Sequence, residues 1–262
     1  MQYKLVVLDM DGTLLNGEHE VSEENRETIM GLMEQGVQFV LASGRPYESI
    51  VPYVKDLGLE LPIISANGAL VKSVINNEVY FSSSLPMQQV EEILDFADQT
   101  SFAVSLYLEN EIVTFDEEMV NLHSDLEGLK AKKINNFSGN NPIIKILLTD
   151  HPDKVNKTIS WFESKYKNDL YITSSEPNYL EVMNINASKG IAINNLIKKM
   201  DLSAKEVVVM GNNFNDVTMF GIAGLSVAMS NSPQRVREVA DFVTKSNVEN
   251  GVAYALERIF SK

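Results

Sequence analysis

An α/β fold is predicted, a parallel sheet with an α+β module inserted into it, and three features of the sequence predict it. Short apolar runs at 5–8, 37–42 and 62–65 alternate with amphipathic stretches near the start. The same rhythm returns late in the chain, with runs at 207–210 and 225–229. Between about 84 and 185, neighbouring strand-like runs follow one another through short turns, which reads as antiparallel pairing.

Residues 5–8 show no polar alternation, as a strand buried on both faces requires. Ser22 with Glu23 and Glu24 signals a helix start; Ile29, Leu32 and Met33 give its core face and Gly36 ends it. The run 37–42 is the next buried strand. Pro46 opens a second helix that closes near Gly58, and 62–65 is a third short strand. This βαβαβ order implies parallel strands joined by right-handed crossovers. Later, Ile191, Leu196, Ile197 and Met200 line one side of a helix that begins near Ser188. Strand 207–210, a short helix at 216–222 and strand 225–229 follow. Ser232 with Pro233 starts a further helix. Phe242 and Val243 suggest one more strand before a last helix ending near Phe260. In the middle segment, helical patterns at 87–96 and 155–166 alternate with strand-like runs at 104–108, 112–115, 143–148 and 179–183, and 135–141 is a polar loop. These readings give a core of residues 1–83 and 186–262 and an inserted module of 84–185.

Composition narrows the chemistry. At 262 residues, 44% apolar and 22% charged, the chain has the make-up of a soluble globular protein. No segment approaches the roughly 20 apolar residues that span a bilayer. Asp9 breaks the first apolar run before it could serve as a signal-peptide core, so a cytoplasmic location is expected. The absence of cysteine excludes disulfides, thiolate zinc sites and a cysteine nucleophile together. His19, His123 and His151 lie far apart and read as ordinary surface or loop residues. A metal would then be a hard cation such as Mg²⁺ held on oxygen. The formal net charge of −14 repels nucleic acid and anionic membranes, and neither is an expected partner. The same field opposes phosphorylated substrates at long range, but salt screens it over about 8 Å and a few local cations can reverse it.

Four polar clusters directly follow buried strands or open helices, the address at which open α/β sheets bind ligands. In Asp9-Met10-Asp11-Gly12-Thr13, two carboxylates two residues apart at a strand end can face one crevice, one to attack phosphorus and one to protonate the leaving oxygen. Alone, the motif is more often a polar turn than a site. A calcium loop is excluded, because its sixth position needs Gly and holds Leu14. Ser43-Gly44-Arg45 offers a hydroxyl and backbone N–H groups at a helix entry for phosphate oxygens, while Asn67-Gly68 reads mostly as a turn. Lys189 at a helix start could neutralise phosphoryl oxygens or a neighbouring aspartate. Gly211-Asn212-Asn213-Phe214-Asn215-Asp216 supplies a second carboxylate and neutral oxygens for a cation, or caps the helix that follows.

Taken in order, DMDGTL, LASGR, the Lys189-Gly190 pair and GNNFND resemble the four motifs of the haloacid dehalogenase superfamily. The long insert, with ISANGA and YLEVMNINASKG, is similar to its Cof-type branch, and the likeness covers essentially the whole chain. The resemblance implies a Rossmann-like core with an inserted cap, and a Mg²⁺-dependent phosphatase that works through an aspartyl phosphate on a small phosphorylated metabolite, with sugar phosphates as the family-level guess. It casts Asp9 as nucleophile and metal ligand, and Asp11 as general acid and then base, its main-chain oxygen on the metal. Ser43 and Lys189 hold the phosphoryl group with Gly12 and Gly44, Arg45 reaches the substrate, and Asn212 and Asp216 complete the metal site. The family usually has Asp where this chain has Asn212, so the metal site loses one charge. A phosphomutase would share every core residue, and a non-catalytic metabolite-binding protein would tolerate the weakened metal site. A signalling receiver is disfavoured, being about half this length and having no need of Asp11. The oligomeric state stays open between monomer and homodimer.

Overall fold

The computed structural model describes residues 2–137, 139 and 141–261. The chain opens with β1 (Leu5–Leu8) and β2 (Gln38–Leu41), then β3 (Ile63–Ser65), β4 (Leu70–Lys72) and β5 (Val79–Ser82). There follow β6 (Ala103–Tyr107), β7 (Ile112–Thr114), β8 (Lys132–Lys133), β9 (Lys145–Thr149), β10 (Leu170–Thr173) and β11 (Tyr179–Asn184). β12 (Val207–Gly211), β13 (Leu225–Ala228) and β14 (Phe242–Val243) complete the strands.

Three sheets result. The first is five-stranded and parallel throughout, in the order β14-β13-β12-β1-β2. Its interior strand β1, between β12 and β2, is fully buried, and each such Val or Leu stabilises the fold by about 1.5–3 kcal/mol. The second is six-stranded, in the order β10-β11-β9-β6-β7-β8, and antiparallel except where β7 meets β8. The molecule is thus α/β, with a parallel core sheet and further sheets beside it, as the sequence predicts.

The third sheet is where the reading needs correction. The run at 62–65 was expected as a third parallel strand, but β3 touches the core sheet through a single parallel bridge, Ala42 to Ile64. It then pairs antiparallel with β4, and β4 with β5. The cause is local: Ala66, Asn67 and Gly68 take φ of 47°, 55° and 93°, which folds the chain back on itself. At Gly68 a side chain is also excluded by space, since a Cβ would lie 2.3 Å from the Ser188 carbonyl oxygen. The turn is thereby packed under the helix Lys189–Lys199.

Other departures are smaller. The helix Glu117–Glu127 stands where the hydrophobic pattern predicts none, although Asp116 before Glu117 and Glu118 is a start signal. The stretch 216–222 is a tight turn, Phe214–Asp216, running into a single helical turn, Val217–Phe220. Of the polar loop at 135–141, Ser138 and Asn140 lie outside the described residues.

Register places the chemistry. Leu8 pairs with Met210 on one side and Leu41 on the other. The pairing runs one step further, with Asp9 N–H donating to the Met210 carbonyl at 3.0 Å and Ala42 N–H to the Leu8 carbonyl at 2.9 Å. Asp9, Ser43 and Asn212 therefore leave three adjacent strands at the same carboxyl edge, where the crevice of such a sheet lies. Behind them, buried Asn25 donates to the Leu14 carbonyl at 3.3 Å and accepts from Ala253 N–H at 2.9 Å, pinning the turn after β1 to the first and last helices.

Candidate active site

The loop after β1 carries Asp9, 4% exposed, and Asp11, whose side chain is 41% exposed. Gly12 has φ +72°, and a Cβ there would lie 2.3 Å from the Asn212 amide, so only glycine lets the two loops approach. Lys189 is the centre of the cluster. Its ammonium donates to Asp9 Oδ1 and to Asp216 Oδ1, both at 2.6 Å, and all three residues are buried. Asp216 Oδ2 in turn accepts from the backbone N–H groups of Asn212 and Asn213 at 2.8 and 3.0 Å. Both Asp216 oxygens are engaged, and its carboxylate acts as a fixed strut between Lys189 and the 212–216 turn.

The Asn212 side chain sits across from Asp9. Its hydrogen-bonding surroundings orient the amide so that the nitrogen donates to Asp9 Oδ2 at 3.0 Å, to the Asp11 main-chain oxygen at 2.9 Å and to Thr13 Oγ1 at 3.2 Å. On the other flank Arg45 grips Asp11 in a two-pronged pair, Nε to Oδ2 at 2.7 Å and Nη2 to Oδ1 at 2.6 Å. His19 Nδ1 is 3.3 Å from that guanidinium and 3.6 Å from Asp11. Ser43 is buried, and its hydroxyl accepts from Arg45 N–H at 3.1 Å.

The electrostatics follow from sharing one cation between two carboxylates. Burial, and next the neighbouring Asp216 charge, push the Asp9 carboxyl up to about 7 although Lys189 pulls the other way. Burial also opposes the Lys189 charge, but Asp216 and Asp9 outweigh it and hold the ammonium above its ordinary range. The cluster is short of positive charge.

Asp9, Asp11, Gly12, Ser43, Gly44, Arg45 and Asn212 open into one cavity of about 540 Å³. Lys189 and Asp216 close its floor from behind. The sequence profile of the haloacid dehalogenase-like hydrolases matches residues 6–256, across these elements. The chain belongs to that family. A haloacid dehalogenase-like hydrolase from Bacteroides thetaiotaomicron has the same fold with a TM-score of 0.87 and 33% identity, over 98% of this chain and 100% of that one. The Bacillus subtilis protein YxeH, provisionally named a phosphatase, is 31% identical over 98% of both chains. YcsE of the same organism, named a 5-amino-6-(5-phospho-D-ribitylamino)uracil phosphatase, is 30% identical over 97% of this chain and 94% of its own. By that kinship this hydrolase is a phosphatase, an enzyme acting on phosphomonoesters. No helix among its described residues is long and apolar enough to cross a membrane.

The hydrolase's cavity has a second wall that the motifs did not reveal. Tyr107, His123, Lys145, Asn178 and Glu181 line it from the six-stranded sheet, its β10–β11 turn and the helix Glu117–Glu127. His123, expected at the surface, is 2% exposed, with Nε2 2.8 Å from Ser105 Oγ. His19 does lie in a loop, but against Asp11 and Arg45. Asn67, read as a turn residue, is buried and accepts from Asn215 at 3.0 Å, supporting Gly44 from beneath. A signal for the second wall was present in the sequence: Lys145 and Glu181 are lone charges inside otherwise apolar strands.

Proposed function

We propose that this hydrolase is a Mg²⁺-dependent phosphatase of a small phosphorylated metabolite, a sugar phosphate being the leading class, and that it passes the phosphoryl group through Asp9 to water. The observation that carries the reading is the Lys189 bridge between Asp9 and Asp216, placed beside Ser43 and Asp11 at the carboxyl edge of the parallel sheet.

The donor set fits a hard divalent cation. Asp9 Oδ2 and the Asp11 main-chain oxygen both converge on the Asn212 amide, whose nitrogen faces them here; turned over, the same amide would present Oδ1 and complete an all-oxygen set. Asp9, Asp11 and Asn212 would hold Mg²⁺; Asp216, expected as a fourth ligand, has both oxygens engaged by Lys189 and the 212–213 N–H groups and would support the site from behind. Of these donors only the Asp9 side chain is ionic, the Asp11 main-chain oxygen and the Asn212 amide being neutral, so the charge on the set is low. Bound there, Mg²⁺ supplies positive charge that lowers the Asp9 carboxyl and offsets repulsion between two anions.

Asp9 Oδ1 attacks phosphorus in line, forming an acyl phosphate as the ester P–O bond breaks, while Oδ2 is the oxygen that would hold the cation. Lys189, beside Oδ1, draws charge from the equatorial oxygens, with Ser43 and the N–H groups of the 12 and 44 turns fixing their positions. Asp11, released from Arg45 and protonated, gives its proton to the leaving oxygen; as a carboxylate it then takes a proton from water, which cleaves the acyl phosphate. Freed from Asp11, Arg45 has a guanidinium to offer the substrate. Residues 84–185 form the cap and 1–83 with 186–262 the catalytic core, and the cap wall keeps bulk water out. The experiment is hydrolysis of p-nitrophenyl phosphate with Mg²⁺. Asp9→Asn is expected to abolish phosphate release, as is removal of Mg²⁺ by EDTA; turnover that survives Asp9→Asn sinks the reading.

A further inference from the structure

Lys145 and Glu181 form an ion pair whose side chains are 3% and 2% exposed, facing the cavity from β9 and β11. The lysine is fully occupied. Its ammonium donates to Glu181 Oε1 at 2.7 Å and to the Gly44 carbonyl at 2.8 Å, and it lies 4.2 Å from the centre of the Tyr107 ring. Glu181 is not. Its second oxygen, Oε2, is buried and has no hydrogen-bond partner. A buried carboxylate oxygen left unpaired is costly, and folded chains pair nearly all such atoms. Here the residue that carries the unpaired acceptor lines the cavity that holds Asp9.

We propose that Glu181 Oε2 is the specificity-determining acceptor for the leaving group, and that it takes a hydroxyl donated by a polyhydroxylated alcohol while Lys145 holds it in register with the phosphate loop. This rests on the phosphatase reading and adds the part of the substrate beyond phosphate. The chemistry selects the donor. An acceptor needs an O–H or N–H, and Lys145 already neutralises the carboxylate, so a second ammonium would meet repulsion where a neutral hydroxyl would not. The contact from Lys145 to the Gly44 carbonyl sets the distance between the two recognition points, since Gly44 neighbours Ser43 in the phosphate loop. An ester with no hydroxyl on its leaving group leaves Oε2 unpaired, and such a penalty is what makes a polar site selective.

The test is a ratio. Phosphate release is measured with Mg²⁺ on glucose 6-phosphate and ribose 5-phosphate against phenyl phosphate, which lacks hydroxyls, for the wild type and for Glu181→Gln. The glutamine keeps an oxygen for Lys145 and presents an N–H₂ where Oε2 stood. The kcat/KM ratio of the better sugar phosphate to phenyl phosphate is expected to fall by about tenfold or more, through KM, the effect of one hydrogen bond to a charged group. An unchanged ratio, with both substrates impaired alike, overturns the proposal and leaves Glu181 a structural partner of Lys145. A wild type that prefers phenyl phosphate overturns it too. Should the variant not fold, the monodeoxy glucose 6-phosphates answer with the wild type alone: at least one must lose about tenfold against the parent sugar phosphate, and equal turnover of all of them overturns the proposal. Phosphate release from no ester at all sinks the phosphatase reading, and this inference with it.

Discussion

Lys189 and Lys145 are both buried ammonium groups held by carboxylates at 2.6–2.7 Å, one at the edge of the parallel sheet and one on the six-stranded sheet facing it. Around Lys189 the cluster is short of positive charge: two carboxylates share one lysine, and Asp9 is pushed up to about 7 by burial and by Asp216. Around Lys145 the charges balance one to one, and what is missing is a hydrogen bond, at Glu181 Oε2. The first shortage calls for a cation and an electrophile; the second calls for a neutral donor. One cavity thus presents two demands that a phosphate ester with a hydroxylated leaving group meets together.

The comparison breaks most visibly at the lysines themselves. Lys189→Met removes the charge proposed to face the equatorial oxygens, and p-nitrophenyl phosphate turnover is expected to fall by about 10³-fold or more. Loss of only a few fold would show that Lys189 is a structural strut alone. Lys145→Met should act through the fold. It strands Glu181 in the interior, which costs about 3–5 kcal/mol, or roughly 10 °C of melting temperature. The double variant Lys145→Met/Glu181→Leu should recover most of that loss, because no unpaired charge remains. A single variant that melts with the wild type would mean that the pair is not buried in solution as it is here.

The two lysines also differ in how far the sequence disclosed them. Lys189 was legible because it belongs to an ordered set of motifs, each at a strand end or helix start, and the register of β1, β2 and β12 then brings Asp9, Ser43 and Asn212 to one edge. Lys145 and Glu181 follow no such rule. They pair across antiparallel strands, Ile146 opposite Val182, and which strands become neighbours is set by long-range packing that one-dimensional pattern does not carry. A lone charge within an apolar run was the available clue. The same limit explains β3, where periodicity identified the strand but left-handed backbone at Ala66 and Asn67 turned it away from the parallel sheet. Arg45 shows a third kind of limit: its motif placed it at the site, yet nothing in the motif disclosed that it would hold Asp11.

A single atom sharpens the charge side of the comparison. Asn212→Asp adds a carboxylate beside Asp9 and removes the amide nitrogen that donates to Asp9 Oδ2 and the Asp11 carbonyl. Two unit charges 4 Å apart interact by roughly 4 kcal/mol at an effective dielectric near 20. Calorimetric titration should therefore show Mg²⁺ binding tightened by about tenfold or more, while the metal-free protein melts lower because the two carboxylates repel. If metal affinity stays as it was, residue 212 is not a ligand.

Asp241 supplies the reference that the lysine-bound carboxylates need, a carboxylate held without any cation. Its Oδ2 accepts from the Ser226 hydroxyl at 2.7 Å and from Ser226 N–H at 2.9 Å, and these bonds, the hydroxyl first, hold the carboxyl below its ordinary value. A depressed carboxyl contributes stability that is present above the unfolded value and disappears as pH falls through the folded one. Ser226→Ala removes one of the two bonds from a carboxylate that water also reaches, and with it the hydroxyl that accepts from Asp241 N–H at 3.0 Å, so the expected loss is modest, roughly 2–4 °C of melting temperature at pH 7. That loss should shrink as the solution is taken below the ordinary carboxylate range, since the protonated acid no longer depends on the hydroxyl. Melting curves of the two proteins that separate further as pH falls would reverse the sign, and would mean that the serine acts through β13 packing rather than through charge.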